Sequence, residues 1–177
     1  IAVGAEACTE ALIARWTGGG RVMVNAYGPT EATVAVTTAL LKVGQRVTIG
    51  TPLANMQVHV VDASLQLVPP GVVGELMVSG VGLARGYHNL PGKTASAFVE
   101  NAFGRGRLYR TGDLARWLEN GELECLGRID HQVKLRGFRI ELGEIEAVLS
   151  RQASVRVAVG MKREEREGAP YLCAYVT

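Results

Sequence analysis

Between Gly127 and Glu146 the chain changes its hydrophobic period, and this junction constrains the fold more than any other stretch. Before it lie short apolar runs cut by glycine turns. After it Leu142, Ile145, Val148 and Leu149 recur at helical spacing, with Glu141, Glu144 and Glu146 placed to favour the helix start. A period of two buries one face of a strand and a period near 3.6 buries one stripe of a helix, so the two regions need different partners. The junction also concentrates charge, in Arg128, Asp130, Lys134, Arg136 and Arg139. Such a segment suits a plain solvated linker or a working hinge, and its composition does not choose between them.

Taken in order, Ile1–Val3 reads as the end of a buried strand. Thr9 is placed to cap a short helix, 10–16, with Leu12, Ile13 and Trp16 on its apolar side. The β-branched run 22–27 predicts a buried strand, broken by Gly28-Pro-Thr-Glu31, and 33–41 predicts another. From 57 to 126 the strands are short and closely spaced: 58–62, 74–79, a helical turn at 94–99, and 108–109 and 114–117 on either side of a Thr111-Gly-Asp113 turn. Glu119-Asn-Gly121 signals a hairpin between 114–117 and 122–126. This is the pattern of a small, irregular β-barrel or sandwich. Beyond the junction, Val133 and Leu135 alternate with Lys134 and Arg136 as a half-exposed strand turned by Gly137. The runs 155–161 and 171–176 read as strands, and the charged run 162–168 as a solvated loop or hairpin.

Composition removes several function classes. Nineteen basic and 17 acidic residues leave a net charge of +2, too balanced for a nucleic-acid or membrane-surface partner. The three cysteines, Cys8, Cys125 and Cys173, are far apart and form no CxxC pair, so neither a zinc site nor a disulfide framework is expected, and a reducing, cytoplasmic setting fits. No run approaches membrane-spanning length and no signal peptide is visible. The chain starts without Met and stops inside an apolar run, which reads as a fragment of a longer protein.

Chemistry concentrates in two strings. In Asn25-Ala-Tyr-Gly-Pro-Thr-Glu31 a buried strand delivers a rigid turn bearing a hydroxyl and a carboxylate, at the kind of strand end where α/β sheets bind ligands. Thr30 can donate to a phosphate, Glu31 can hold a magnesium ion, Tyr27 can stack on a base and Asn25 can bond its edge. The bland alternative is a plain turn with a solvated Glu31. In Tyr109-Arg-Thr-Gly-Asp113 a carboxylate on a tight turn can accept from two ribose hydroxyls, although such an Asp more often bonds its own backbone. The glycines of Gly80-Val-Gly-Leu-Ala-Arg-Gly-Tyr87 lack the Lys-Ser/Thr of a phosphate loop and read as backbone architecture, with Arg85 structural. His59, His88 and His131 sit in unrelated contexts, as surface or capping residues.

Five strings in order, Asn25–Glu31, Gly74–Tyr87, Tyr109–Asp113, Gly127–Asp130 and Gln132–Glu146, resemble the adenylation domain of non-ribosomal peptide synthetases, within the adenylate-forming (AMP-binding) superfamily. The resemblance covers essentially the whole chain. It implies an α/β fold with a distorted β-barrel subdomain, followed by a small α+β C-terminal lobe. Residues 1–129 would be the last part of the large lobe, with the barrel from about 55, and 130–177 the hinge and a truncated small lobe. It implies that Asn25 and Tyr27 flank adenine, Thr30 meets phosphate, Glu31 binds magnesium, and Asp113 and Arg128 hold the ribose. Thr30 and Glu31 would be the catalytic pair. Asp130 matches the hinge, and the Lys134–Arg139 segment would swing towards the site when the lobe turns. Ile1, Val3, Ala26, Val34 and Ala35 would line the amino-acid pocket, and their small apolar character favours an apolar side chain.

The implied activity is ATP-dependent formation of aminoacyl-AMP and transfer to the phosphopantetheine thiol of a carrier domain, next to a condensation domain, with no nucleic acid or membrane involved. The alternatives are another adenylate-forming enzyme, such as an acyl-CoA synthetase, and a non-catalytic module binding nucleotides or a carrier. The family's phosphate loop would precede Ile1 and its catalytic lysine would follow Thr177, so this stretch alone is expected to be inactive. Cys125 stands where the family usually places an aromatic against adenine.

Overall fold

The computed structural model describes residues 1–163 and 169–177. Most of the expected charged loop, 164–168, therefore lies outside the described residues. The chain separates into two compact units, Ile1–Ile129 and Asp130–Thr177.

The first unit begins with a four-stranded sheet of β1 (Ala2–Gly4), β2 (Met23–Tyr27), β3 (Thr37–Leu41) and β4 (Thr51–Pro52), in that order. β1 runs parallel to β2, and β3 is antiparallel to it. Between β1 and β2 lies α1 (Glu10–Thr17), capped as its sequence predicts: Thr9 Oγ1 accepts from the Leu12 N–H at 3.3 Å. Of its apolar residues only Ile13 is buried, against Met23 and Leu41, while Leu12 and Trp16 stay exposed. This two-turn helix docks on the β2–β3 pair through that one inward residue.

A second, five-stranded antiparallel sheet follows: β5 (Met56–Val61), β6 (Gly74–Gly80), β7 (Phe98–Glu100), β8 (Arg107–Trp117) and β9 (Leu123–Arg128). Its order is β5-β6-β8-β7, with β9 also pairing β8, and it curls into a half-barrel. β6 lies between β5 and β8 and is buried from Gly74 to Ser79, which is why it lacks the alternation of a half-exposed strand. Leu76 and Val78 join Val36, Val58, Val60, Ala115 and Leu123 in the main core. Between β6 and β7, α2 (Pro91–Ala97) starts three residues before the expected turn, with Pro91 in its first turn, and buries no side chain.

Two expectations are corrected here. The strand expected over 33–41 starts only at Thr37. Residues 30–32 form a 3-10 turn, and Thr33 and Val34 have φ of 57° and 73°. The chain doubles back so that the Val36 N–H bonds the Tyr27 carbonyl at 2.7 Å. Propensity read the β-branched run as extended, and the tertiary return overrode it. Likewise Thr111-Gly-Asp113 is not a turn between two strands. β8 is one strand of 11 residues, and the three form a bulge within it, where the stretch 75 to 77 of β6 faces the longer stretch 110 to 114 of β8. The φ of +70° at Gly112 permits the kink.

The second unit has a hairpin of β10 (Gln132–Leu135) and β11 (Phe138–Glu141), then α3 (Leu142–Leu149) and a second hairpin of β12 (Ala158–Arg163) and β13 (Tyr171–Val176). Glu146 on α3 accepts from the Gly160 N–H of β12 at 2.8 Å. No helix among the described residues is long and apolar enough to cross a membrane.

His59 on β5 is the described histidine with a structural consequence. Its Nε2 is buried without a hydrogen-bond partner, and its ring lies 4.7 Å from that of Phe103. Burial pushes its pKa below the usual value of 6.5. The unfolded chain therefore takes up a proton before the folded one does, and stability falls as the pH drops through about 6.5. Denaturant midpoints should decline between about pH 7 and pH 5, and His59→Phe should flatten that part of the curve. An unchanged slope in the variant would assign the pH dependence to other groups.

Candidate functional site

Three strands bring the nucleotide candidates together. Tyr27 ends β2, Asp113 closes the β8 bulge, and Arg128 ends β9, directly opposite Asp113 in the ladder. The Tyr27 hydroxyl donates to Asp113 Oδ2, and Arg128 Nη1 donates to Asp113 Oδ1 at 2.9 Å. The side chains of Arg128 and Asp113 are only 16% and 13% exposed, so this pair is shielded more than a surface salt bridge. Burial, the Asp113 charge and the hydrogen bond to it hold the Tyr27 phenol well above its ordinary pKa. Tyr27 thus remains a proton donor. Each carboxylate oxygen has two lone pairs, so Asp113 can accept further hydroxyl protons beside these partners.

The bulge aims Asp113. Thr111 Oγ1 donates to the Leu76 carbonyl at 2.6 Å and accepts from the Asp113 N–H at 3.0 Å. The Gly112 N–H donates to Glu75 Oε1 at 3.3 Å, and Arg110 grips the same carboxylate at 2.7 Å. The irregular backbone of the bulge is therefore satisfied by β6 and by its own hydroxyl, while the Asp113 side chain projects to Tyr27 and Arg128.

The Gly28–Val36 return positions the second group. A Cβ on Gly28 would lie 2.7 Å from Val34 O, 2.8 Å from Val36 N and 2.9 Å from Ala35 Cα, so only glycine lets the chain pass here. The 3-10 turn that follows buries Glu31 to 7% exposure and leaves Thr30 exposed. Glu31 is not the solvated carboxylate of the bland alternative: its Oε1 accepts from the Tyr87 hydroxyl at 2.7 Å. Asn25 is buried on β2 two positions before Tyr27, its Nδ2 donating to the Thr48 carbonyl at 2.7 Å, and Thr48 Oγ1 donates to Glu122.

The other candidates lie more loosely. Val3 and Ala26 are half-buried on neighbouring strands β1 and β2, Ala35 is half-buried on the return, Ile1 is exposed and Val34 is 77% exposed. Cys125 is exposed on β9 opposite Ala115. Asp130 Oδ1 accepts from the Gln132 N–H at 3.1 Å at the start of the second unit, and Lys134 lies on β10 opposite Arg139. For a metal, the described residues contain no group of three or more His, Cys, Asp or Glu side chains suited to an ion. A single buried carboxylate fits magnesium only in the manner of nucleotide sites, where one or two carboxylates share the ion with phosphates and water. Tyr87 and Thr111 were not singled out from sequence as site residues. The only signal for Tyr87 was its place at the end of a glycine-rich string.

The chain is similar to known proteins in both sequence and structure. The sequence profile described as "AMP-binding enzyme" matches residues 1–88, which include Asn25–Glu31. The chain is 53% identical to Bacitracin synthase 3 of Bacillus licheniformis over 172 residues, or 97% of its length, and 50% identical to Tyrocidine synthase 1 of Brevibacillus parabrevis over 96%. The chain belongs to the AMP-binding enzyme family. It spans only 3% and 16% of the length of those two relatives. Among solved members, it superposes with a TM-score of 0.87 on the Vibrio cholerae adenylation domain AlmE in complex with glycyl-adenosine-5'-phosphate, at 34% identity, covering 99% of this chain and 35% of that one. With a four-domain nonribosomal peptide synthetase bound to AMP and glycine the TM-score is 0.70 at 42% identity, covering 99% and 14%.

Proposed function

We propose that this chain is the nucleotide-holding part of an amino-acid-activating adenylation domain of a non-ribosomal peptide synthetase. The parent reaction joins an amino-acid carboxylate to the α-phosphate of ATP, releases pyrophosphate, and passes the aminoacyl group to the phosphopantetheine thiol of a carrier domain. One observation carries the reading: Tyr27, Asp113 and Arg128 converge from three strands on one shielded carboxylate. In this reading Asp113 accepts from the ribose hydroxyls with Arg128 paired to it, while Tyr27 and Asn25 flank adenine. Thr30, exposed on its turn, donates to a phosphate, and Glu31 holds magnesium, which would neutralise phosphate charge as pyrophosphate leaves. Val3, Ala26 and Ala35, with Ile1 and Val34, line the amino-acid side. The partners are the carrier and condensation domains of the parent, and its ATP supply places it in the cytoplasm.

Amino-acid-dependent ATP–pyrophosphate exchange by the parent protein tests the reaction. Exchange with at least one amino acid is expected, and exchange with none removes the enzyme reading. Turnover with fatty acids and coenzyme A instead would move the protein to the acyl-CoA synthetase branch.

The second half-reaction is assigned to Asp130 as a pivot. It begins the second compact unit, and its side chain already bonds the local backbone at Gln132. Proline at this position would hold φ near −65°. In the parent, Asp130→Pro should lower thioester formation at least about tenfold while exchange changes less than about threefold, as read by carrier loading beside pyrophosphate exchange. Equal loss of both steps would argue against a pivot.

A further inference from the structure

The feature the proposed chemistry leaves unexplained is how a buried Glu31 carboxylate is kept in one orientation. Glu31 sits on a three-residue 3-10 turn, and its neighbours Thr33 and Val34 have positive φ, so its own backbone is a poor anchor. The anchor comes from the segment after β6. The Ala84 N–H donates to the Glu31 carbonyl at 2.8 Å, and Thr33 Oγ1 donates to the Gly82 carbonyl at 2.7 Å. The Tyr87 hydroxyl donates to Glu31 Oε1 at 2.7 Å, across 56 residues of chain.

Tyr87 is itself fixed. Its N–H donates to Thr94 Oγ1 at 2.9 Å on α2, and its ring meets Phe98 edge-on at 5.8 Å. Lys93 Nζ stands 5.0 Å over the ring.

We infer that Tyr87 is a positioning residue for metal–nucleotide binding, its hydroxyl holding the Glu31 carboxylate in the orientation that receives the ion. The inference rests on the reading of Glu31 given above. A phenol donor leaves the charge on the carboxylate, whereas a lysine or arginine in that place would compete with the ion for it. A partner that orients a ligating carboxylate commonly changes metal affinity about 10- to 100-fold when removed.

The test uses the parent synthetase, with Tyr87→Phe and Glu31→Gln side by side. Two quantities are read: the magnesium concentration giving half-maximal exchange at fixed ATP, and the affinity of Mn2+ for the ATP-loaded protein by electron paramagnetic resonance. Tyr87→Phe should raise both the half-maximal concentration and the Mn2+ dissociation constant about tenfold, with exchange largely recovered at saturating magnesium. Thr94→Val, which removes the bond to the Tyr87 backbone, should shift both in the same direction by less. That variant carries the test if Tyr87→Phe does not fold. If Glu31→Gln shifts both readings and Tyr87→Phe and Thr94→Val shift neither, the inference on Tyr87 falls and Glu31 stands. If Glu31→Gln shifts neither, the metal reading of Glu31 falls and takes the inference with it. A loss of exchange in Tyr87→Phe at every magnesium level, with Mn2+ affinity unchanged, would make its role structural only.

Discussion

Asp113→Ala in the parent synthetase should lower kcat/KM for ATP about 100-fold, with most of the loss in KM. Two hydroxyl-to-carboxylate bonds, at about 1.5 kcal/mol each at the low end for a charged acceptor, amount to roughly that factor. The same substitution should destabilise the first unit. It leaves the Arg128 guanidinium and the Tyr27 hydroxyl facing each other's environment without the acceptor both now use. Since the pair keeps some solvent access, a loss of about 2 kcal/mol is expected, below the 3–5 kcal/mol of a fully buried pair broken on one side. Asp113→Asn separates the two effects. It preserves the volume, but an amide has one acceptor oxygen where the carboxylate has two, and its NH2 cannot pair with the donor-only Arg128 guanidinium. Its ATP defect should approach that of alanine, with less change in denaturation midpoint. A wild-type KM for ATP in both variants would remove Asp113 from the nucleotide site.

The second large effect is expected at a residue with no side chain. Gly28→Ala places a Cβ under 3 Å from three backbone atoms of Val34, Ala35 and Val36. Backbone held by the Val36-to-Tyr27 bond cannot step aside as a flexible side chain would. Either that return opens, or the turn carrying Thr30 and Glu31 shifts. Overpacking of this kind costs about 3 kcal/mol, and a displacement of about 1 Å at a reacting group costs on the order of 100-fold in rate. The denaturation midpoint and the exchange rate should therefore fall together. Exchange within about twofold of wild type would mean that this turn does not set the position of the catalytic groups.

These two residues show where sequence reading succeeds and where it stops. Gly28 stood out because a glycine-proline break after a buried apolar run is a local signal, and the Asn120–Gly121 hairpin, the Thr9 cap and the period of α3 were legible for the same reason. Residue type singles out Asp113, but the local pattern suggests a turn where the structure has a bulge. A bulge is defined by register against β6, and register between strands 35 residues apart leaves no trace in a single sequence. The Tyr27–Asp113 and Glu31–Tyr87 contacts, across 86 and 56 residues, were invisible for that reason too. α2 was placed late because it buries no residue, so it has no apolar stripe to detect. Family resemblance proposed which residues act together, but not the tyrosine hydroxyls that hold the two carboxylates.

The central claim is that the carboxylate shared by Tyr27 and Arg128 receives the ribose of ATP. Its most direct test compares ATP with 2′,3′-dideoxy-ATP in exchange assays on the parent synthetase and on Asp113→Ala. Wild type should prefer ATP by about 100-fold in kcat/KM, and the variant should lose that preference because the partner of the hydroxyls is gone. A preference of the same size in both proteins would place the ribose elsewhere and contradict the account.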